Sequence, residues 1–243
     1  MNLKRLLVGS LKAQAFSKQH FLSSSSSGIL PDSSTPLALP PPPCVVVFGR
    51  PGAGKSTVAD AAVEILGKDH DVACLGLDLD VCVPQWMRDN FAKGIYPTLN
   101  ERVAFAVDCC DYVDKEIEQN IPQTTSNLGA IVSFSFVNTD LRDVFRSRFP
   151  HAVWVLIDTT EDEATRRVNL RQGHFYKGKQ GDPDEIKVPA EDEKETRLNE
   201  SDNSEWTFAP VTFDHIALEG TKGVEENAKY VAQVLRDRLK VLN

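Results

Sequence analysis

The run Cys44-Val45-Val46-Val47-Phe48-Gly49-Arg50-Pro51-Gly52-Ala53-Gly54-Lys55-Ser56-Thr57 changes character twice. Its first five residues are apolar and carry no charge, the composition of a buried strand. From Lys55 onward, Val58, Ala61, Ala62, Ile65 and Leu66 recur at helical spacing, and Gly67 closes the run. Between the two lies a complete G-x-x-x-x-G-K-[ST] loop, Gly49 to Ser56. Strand, glycine loop and helix together aim a row of backbone N–H groups and a helix N-terminus at an anion. Side chains at the glycine positions would block that approach. Gly49, Arg50, Pro51, Gly52, Ala53, Gly54, Lys55, Ser56 and Thr57 are therefore expected to cradle the phosphates of a nucleoside triphosphate. Lys55 would reach the β- and γ-phosphates, and the Ser56 hydroxyl would hold Mg²⁺.

Downstream, strand and helix patterns alternate. Strands are expected at Asp71–Leu77, Gly129–Phe136, His151–Asp158 and, more weakly, Val211–Leu218. Helices are expected at Gln85–Lys93, from an Asn100 cap through Ile117, at Asp140–Phe149, at Glu161–Gln172 and from Val224 to Leu242. Such alternation implies an α/β fold with a parallel sheet covered on both faces. Ligands of these sheets sit beyond the carboxyl ends of the strands, so the loops after Phe48, Leu77, Phe136 and Asp158 should converge. Gly178 to Asn203 is polar, without a periodic apolar face, and reads as a long surface loop.

Composition bounds the possibilities. The chain has 243 residues and a formal net charge of −8. Its first forty residues differ from the rest: Lys4, Arg5, Lys12 and Lys18 face a single acid, Asp32, and Ser23 to Ser27 form a serine run. That is the composition of a mitochondrial or chloroplast transit peptide, with a disordered leader on a cytoplasmic protein as the alternative. The remaining body, 41–243, has 23 basic against 34 acidic residues, or −11. A body so acidic is a poor nucleic-acid or membrane-surface binder, and the expected partner is a small-molecule substrate. No apolar run approaches the roughly 20 residues of a membrane span. The five cysteines have neither C-x-x-C nor metal-ligand spacing and read as reduced thiols.

Asp78 and Asp80 leave the second strand at the edge where the glycine loop opens. One would sit by the Mg²⁺ water shell, for which Asp78 is the candidate; the other, Asp80, would accept a proton from an attacking hydroxyl. Asp158, at the end of Trp154-Val155-Leu156-Ile157, has the shape of a Walker B acid and competes for the metal. Arg167 and Arg171 are four apart on one helix and would neutralise charge on a transferred phosphoryl group. Arg102 and Arg142 begin helices near the expected substrate mouth.

Taken together, these motifs resemble the gluconokinase group of small P-loop kinases, neighbours of shikimate kinase, over about Cys44 to Phe175. Ser135 leads to Arg142-Asp143-Val144-Phe145-Arg146 at the group's R-D-x-x-R spacing, and Arg167, Arg171, Gly173, His174 and Phe175 match its lid opening. Gly94, Pro97 and Arg102 match a third element, with the proline one position late. The resemblance implies a P-loop NTPase fold with five parallel strands, a mobile lid at about 173–204, ATP and Mg²⁺ as cofactors, and His174 as a lid residue. The chain departs from the group at Val83, where histidine is usual before the proline that Pro84 matches, at Asn90 and Phe91, where lysine and methionine are usual, and throughout Lys177–Asn203. Those positions bear on a sugar-acid site. The resemblance therefore implies phosphoryl transfer to a hydroxyl of a small, anionic metabolite and leaves the acceptor and the oligomeric state open. The alternatives are a regulatory NTPase and a degenerate kinase fold that binds ATP without turnover.

Overall fold

The computed structural model describes residues 42–68, 72–120, 128–170 and 207–242. Five strands form one sheet in the order β2-β3-β1-β4-β5. They are β1 (Cys44–Phe48), β2 (Ala73–Asp78), β3 (Leu128–Phe134), β4 (Val153–Asp158) and β5 (Ile216–Glu219), and every pair is parallel. Among the described residues, six α-helices accompany them: α1 (Lys55–Gly67), α2 (Gln85–Phe91), α3 (Leu99–Asn120), α4 (Thr139–Arg148), α5 (Glu161–Leu170) and α6 (Val224–Leu242). This is the α/β, five-stranded parallel arrangement expected from the alternation of patterns. The chain crosses from one half of the sheet to the other at β1, so the crevice that such a reversal opens lies over the glycine loop.

Every residue of β1 is buried, as a central strand between two neighbours requires. Alternate side chains face opposite layers. Val46, Phe48, Val132, Phe134 and Trp154 join one core with α3 and α4, while Val45, Val47, Ile131 and Val155 join another with α1 and α6.

The differences from expectation have local causes. The helix anticipated from Asn100 begins at Leu99, because Thr98 caps it: Thr98 N–H and Oγ1 both reach Glu101 Oε2, at 2.7 and 2.9 Å. That is a T-x-x-E capping box. Helix α2 stops at Phe91, and Gly94 turns the chain with φ 71. Strand β3 ends at Phe134 because the backbone twists away at Phe136, a non-glycine residue at φ 44. The last strand is half the expected length: pairing with β4 begins only at Ile216. Before it, residues 207–215 run irregularly, and Pro210 has no N–H to offer a ladder. Phe213 packs on Trp154 at 5.1 Å between ring centroids and on Phe48 at 6.0 Å, joining the core on that face of the sheet. Among the described residues, no helix is long and apolar enough to cross a membrane. The leader at 1–40, the polar loop at 178–203 and the lid segment at 173–204 lie outside the described residues.

Candidate functional site

The glycine loop joins β1 to α1 through a tight turn in which Ala53 N–H donates to Arg50 O at 3.0 Å. Gly52 sits at φ 89, and a Cβ there would lie 2.3 Å from Ala164 O and 2.9 Å from Val168 Cγ2 of α5. The loop is thus wedged against α5 by the absence of a side chain. Gly54 caps α1 at φ 96 without a side-chain hydrogen bond, and no acid occupies the helix's first turn. The positive end of the helix dipole is left for an anion. Lys55 is buried in that turn, its ammonium donating to Arg50 O at 2.9 Å. Ser56 and Thr57 follow on the same turn.

A cleft of about 320 Å³ opens beside the loop, lined by Ala53, Thr57, Val58, Ile157, Val224 and Asn227. Arg167 stands at its wall. Its guanidinium donates to Ala53 O at 3.3 Å, to Gly220 O at 3.1 Å and to Glu163 Oε1 at 2.7 Å. Glu163 also receives Arg166, and the two guanidinium groups hold its carboxyl down at about 2, so the cluster stays ionised across the physiological range. Arg167 therefore bridges the glycine loop to the turn after β5 and presents a flat cation to the cleft.

Asp78 ends β2 and pairs in register with Ser133, which pairs in turn with Val47 of β1. At a strand spacing of about 4.8 Å, Asp78 lies roughly 10 Å along this row from Val47, and the glycine loop starts two residues beyond Val47. Asp78 Oδ1 accepts Asp80 N–H at 3.0 Å, starting one turn of 3₁₀ helix, Leu79–Cys82. Arg88 of α2 pins that turn by donating to Val83 O at 2.9 Å and to Asp80 O. Arg88 has no counterpart among the sequence expectations, and nothing in its local sequence distinguishes it from a surface arginine. Asp158 is exposed at the end of β4, and its carbonyl accepts Gly220 N–H at 2.6 Å.

Arg102 and Arg142 were expected at a substrate mouth; both are instead buried and engaged inside the fold. Arg102 joins α3 to α4 through Asp140, at 2.6 Å, and donates to Pro97 O at 2.9 Å. Arg142 is 1% exposed and donates to four main-chain carbonyls. Arg171 and His174 lie outside the described residues. The structure thus gathers the loop residues 49–57 with Arg167, sets Asp78 and Asp80 along the same sheet edge, and draws Arg102 and Arg142 into the interior. All five cysteines are free thiols. Burial pushes Cys44, Cys74 and Cys110 up to about 12, which keeps them protonated and inert. Among the described residues, no three His, Cys, Asp or Glu side chains cluster as a metal cage. Ser56 and Asp78 offer the hard oxygen donors that suit Mg²⁺, an ion held largely by nucleotide oxygens and water.

This α/β architecture, with its parallel five-stranded sheet, is similar in fold to small-molecule kinases of known structure. Three solved structures illustrate the likeness. A sugar kinase from Janibacter sp. shares 19% identity at a TM-score of 0.56, over 83% of this chain and 98% of its own. A gluconokinase from Sinorhizobium meliloti shares 19% at 0.50, over 83% and 95%. The APS kinase of Mycobacterium tuberculosis, in complex with AMPPNP and APS, shares 16% at 0.52, over 81% and 99%. No family model and no curated protein sequence matches the chain.

Proposed function

We propose that this chain is an ATP-dependent phosphotransferase that moves the γ-phosphate to a hydroxyl of a small metabolite. The observation that carries the reading is the uncapped, acid-free N-terminus of α1 beneath a glycine loop that tolerates no side chain at Gly52, with Lys55 buried in the same turn. The adjoining cleft suits a purine: Val58, Ile157 and Val224 supply apolar walls, and the Arg167 guanidinium supplies a stacking plane. A protein of the same fold holding AMPPNP together with APS supports one crevice serving nucleotide and acceptor.

In this mechanism the loop amides and Lys55 bind the triphosphate and neutralise charge developing on the γ-phosphoryl group. Mg²⁺, when bound by the Ser56 hydroxyl and the Asp78 water shell, supplies further charge neutralisation between the phosphates. The acceptor oxygen forms a bond to the γ-phosphorus while the bond to the β-bridging oxygen breaks and ADP leaves. Asp80 takes the hydroxyl proton. Its place on a turn anchored by Asp78 and Arg88 holds the carboxylate's backbone at a fixed height above β2. With Arg102 and Arg142 engaged in the interior, selection of an anionic acceptor falls to other groups, for which Arg171 and His174 are the candidates from sequence.

The test compares Asp80→Asn with Asp158→Asn in Mg-ATP turnover against sugar acids, polyols and nucleosides. Loss of a general base costs on the order of 10²–10⁴ in rate, so Asp80→Asn should fall by that factor while Asp158→Asn keeps turnover within about tenfold. The reverse ranking would favour a regulatory NTPase with Asp158 organising the metal. An unaltered chain that binds Mg-ATP yet phosphorylates no panel member would favour the degenerate kinase.

A further inference from the structure

Arg142 heads the largest fully buried side chains of the molecule, and its cation lies among carbonyl oxygens. Nε donates to Phe136 O at 2.7 Å, Nη1 to Pro210 O at 2.9 Å, and Nη2 to Val137 O at 3.2 Å and Ala209 O at 2.9 Å. Two of these acceptors belong to the loop after β3, and two, Ala209 and Pro210, to the irregular segment before β5. Ala209 N–H returns a bond to Val137 O at 2.8 Å, so the two loops are tied in both directions. Phe136, whose carbonyl takes the shortest of the four bonds, is the described non-glycine residue with positive φ. A backbone held in that region persists only where its surroundings over-determine it. Neutral donors would join two loops at less cost than a buried guanidinium, whose desolvation lowers its proton affinity. The cation has a further contact that a neutral donor would not supply. Its Cζ lies 4.5 Å from the centroid of the Phe208 ring. The same ring is met at 5.4 Å by the guanidinium of Arg50. Arg50 belongs to the glycine loop, and its carbonyl is the one that holds the Lys55 ammonium.

We infer that Arg142 and Phe208 are positioning residues for the phosphate-binding loop: the guanidinium fixes segment 208–210, the Phe208 ring holds Arg50, and Arg50 sets the carbonyl on which Lys55 rests. The inference rests on the nucleotide-binding reading above and adds to it a device remote from the phosphates. Arg142 lies in the first half of α4, Phe208 lies in the irregular segment before β5, and together they set the resting place of the lysine. The glycine loop is thereby prepared before nucleotide arrives.

The experiment is titration calorimetry of Mg-ATP into four variants and the unaltered full chain. A cation–π contact of this kind corresponds to about a five-fold change in Kd. Phe208→Leu and Arg50→Gln should each weaken binding by about five-fold. The double variant should show about the same five-fold loss, because each acts through the other, rather than the roughly 25-fold of independent sites. Phe208→Trp, which keeps an aromatic face for both cations, should retain affinity within about two-fold. Additive losses, unchanged affinity in the single variants, or a five-fold loss in Phe208→Trp would each overturn the inference while the unaltered chain still bound nucleotide. Failure of the unaltered chain to bind Mg-ATP would instead overturn the proposed function on which it stands.

Discussion

Lys55→Ala should raise the Kd for Mg-ATP by roughly 30- to 1000-fold, the loss associated with truncating one partner of a buried, hydrogen-bonded charge pair. The side chain is 8% exposed and lies in the first turn of α1, where its ammonium donates to Arg50 O at 2.9 Å. Without nucleotide, that contact is a hydrogen bond to a neutral carbonyl, and loss of one such bond costs about 1 kcal/mol of folding stability. With nucleotide, the same ammonium faces polyphosphate in a turn that contains no acid. The effect on binding should therefore far exceed the effect on folding. Calorimetry of Mg-ATP and a thermal melt of the same sample separate the two. Equal nucleotide affinity in Lys55→Ala and the unaltered chain would contradict the role assigned to the loop.

Gly52→Ala carries the largest expected effect on the fold. A methyl group at this position would meet Ala164 O at 2.3 Å, a backbone atom of α5 that cannot swing aside, and Val168 Cγ2 at 2.9 Å. The residue's φ of 89 adds strain for any L side chain, about 1–2 kcal/mol. Clash and strain together place the substitution among the exceptional ones, at roughly 4 kcal/mol or more. In a chain of this size that corresponds to a fall in Tm of about 10 °C. Gly67→Ala is the matched control. It ends α1, has positive φ neither by geometry nor by need, and a Cβ there meets nothing within 4 Å. It should be neutral or stabilising by up to about 1 kcal/mol. Circular dichroism melts of the pair give the comparison, and a Gly52→Ala melt at the unaltered temperature would contradict the packing described.

The sequence was most readable where local chemistry leaves little choice. Residues 44–67 spell strand, loop and helix, and they adopt these with β1 and α1 at the expected bounds. The final helix was equally plain, because Ala228, Val231, Leu235 and Leu239 repeat along one buried face. The Thr98–Glu101 cap was also written in the chain, yet Asn100 drew the assignment because it too is a good cap residue. What eluded local reading depends on partners far away in sequence. Arg142 at a helix start looks like any solvated arginine, and its acceptors at Ala209 and Pro210 are 67 and 68 residues downstream. Arg102 is paired with Asp140, 38 residues on. Val211 to Asp214 has the composition of a strand, but Phe213 turns onto Trp154 and Phe48 to complete a core layer, and burial there outweighs one more length of ladder. Within the candidate site, the phosphate-binding residues were legible because the motif fixes their backbone. The bridge formed by Arg167 between Ala53 and Gly220 was not, since Gly220 reaches it from beyond the long segment after α5.

The central claim is that a phosphorus–oxygen bond forms to an acceptor hydroxyl and not to water. Turnover of Mg-ATP with the acceptor panel in oxygen-18 water reads this directly by mass spectrometry. Phosphoryl transfer predicts a phosphate monoester free of the heavy isotope. Inorganic phosphate carrying one oxygen-18 atom, with no ester formed, would contradict the claim.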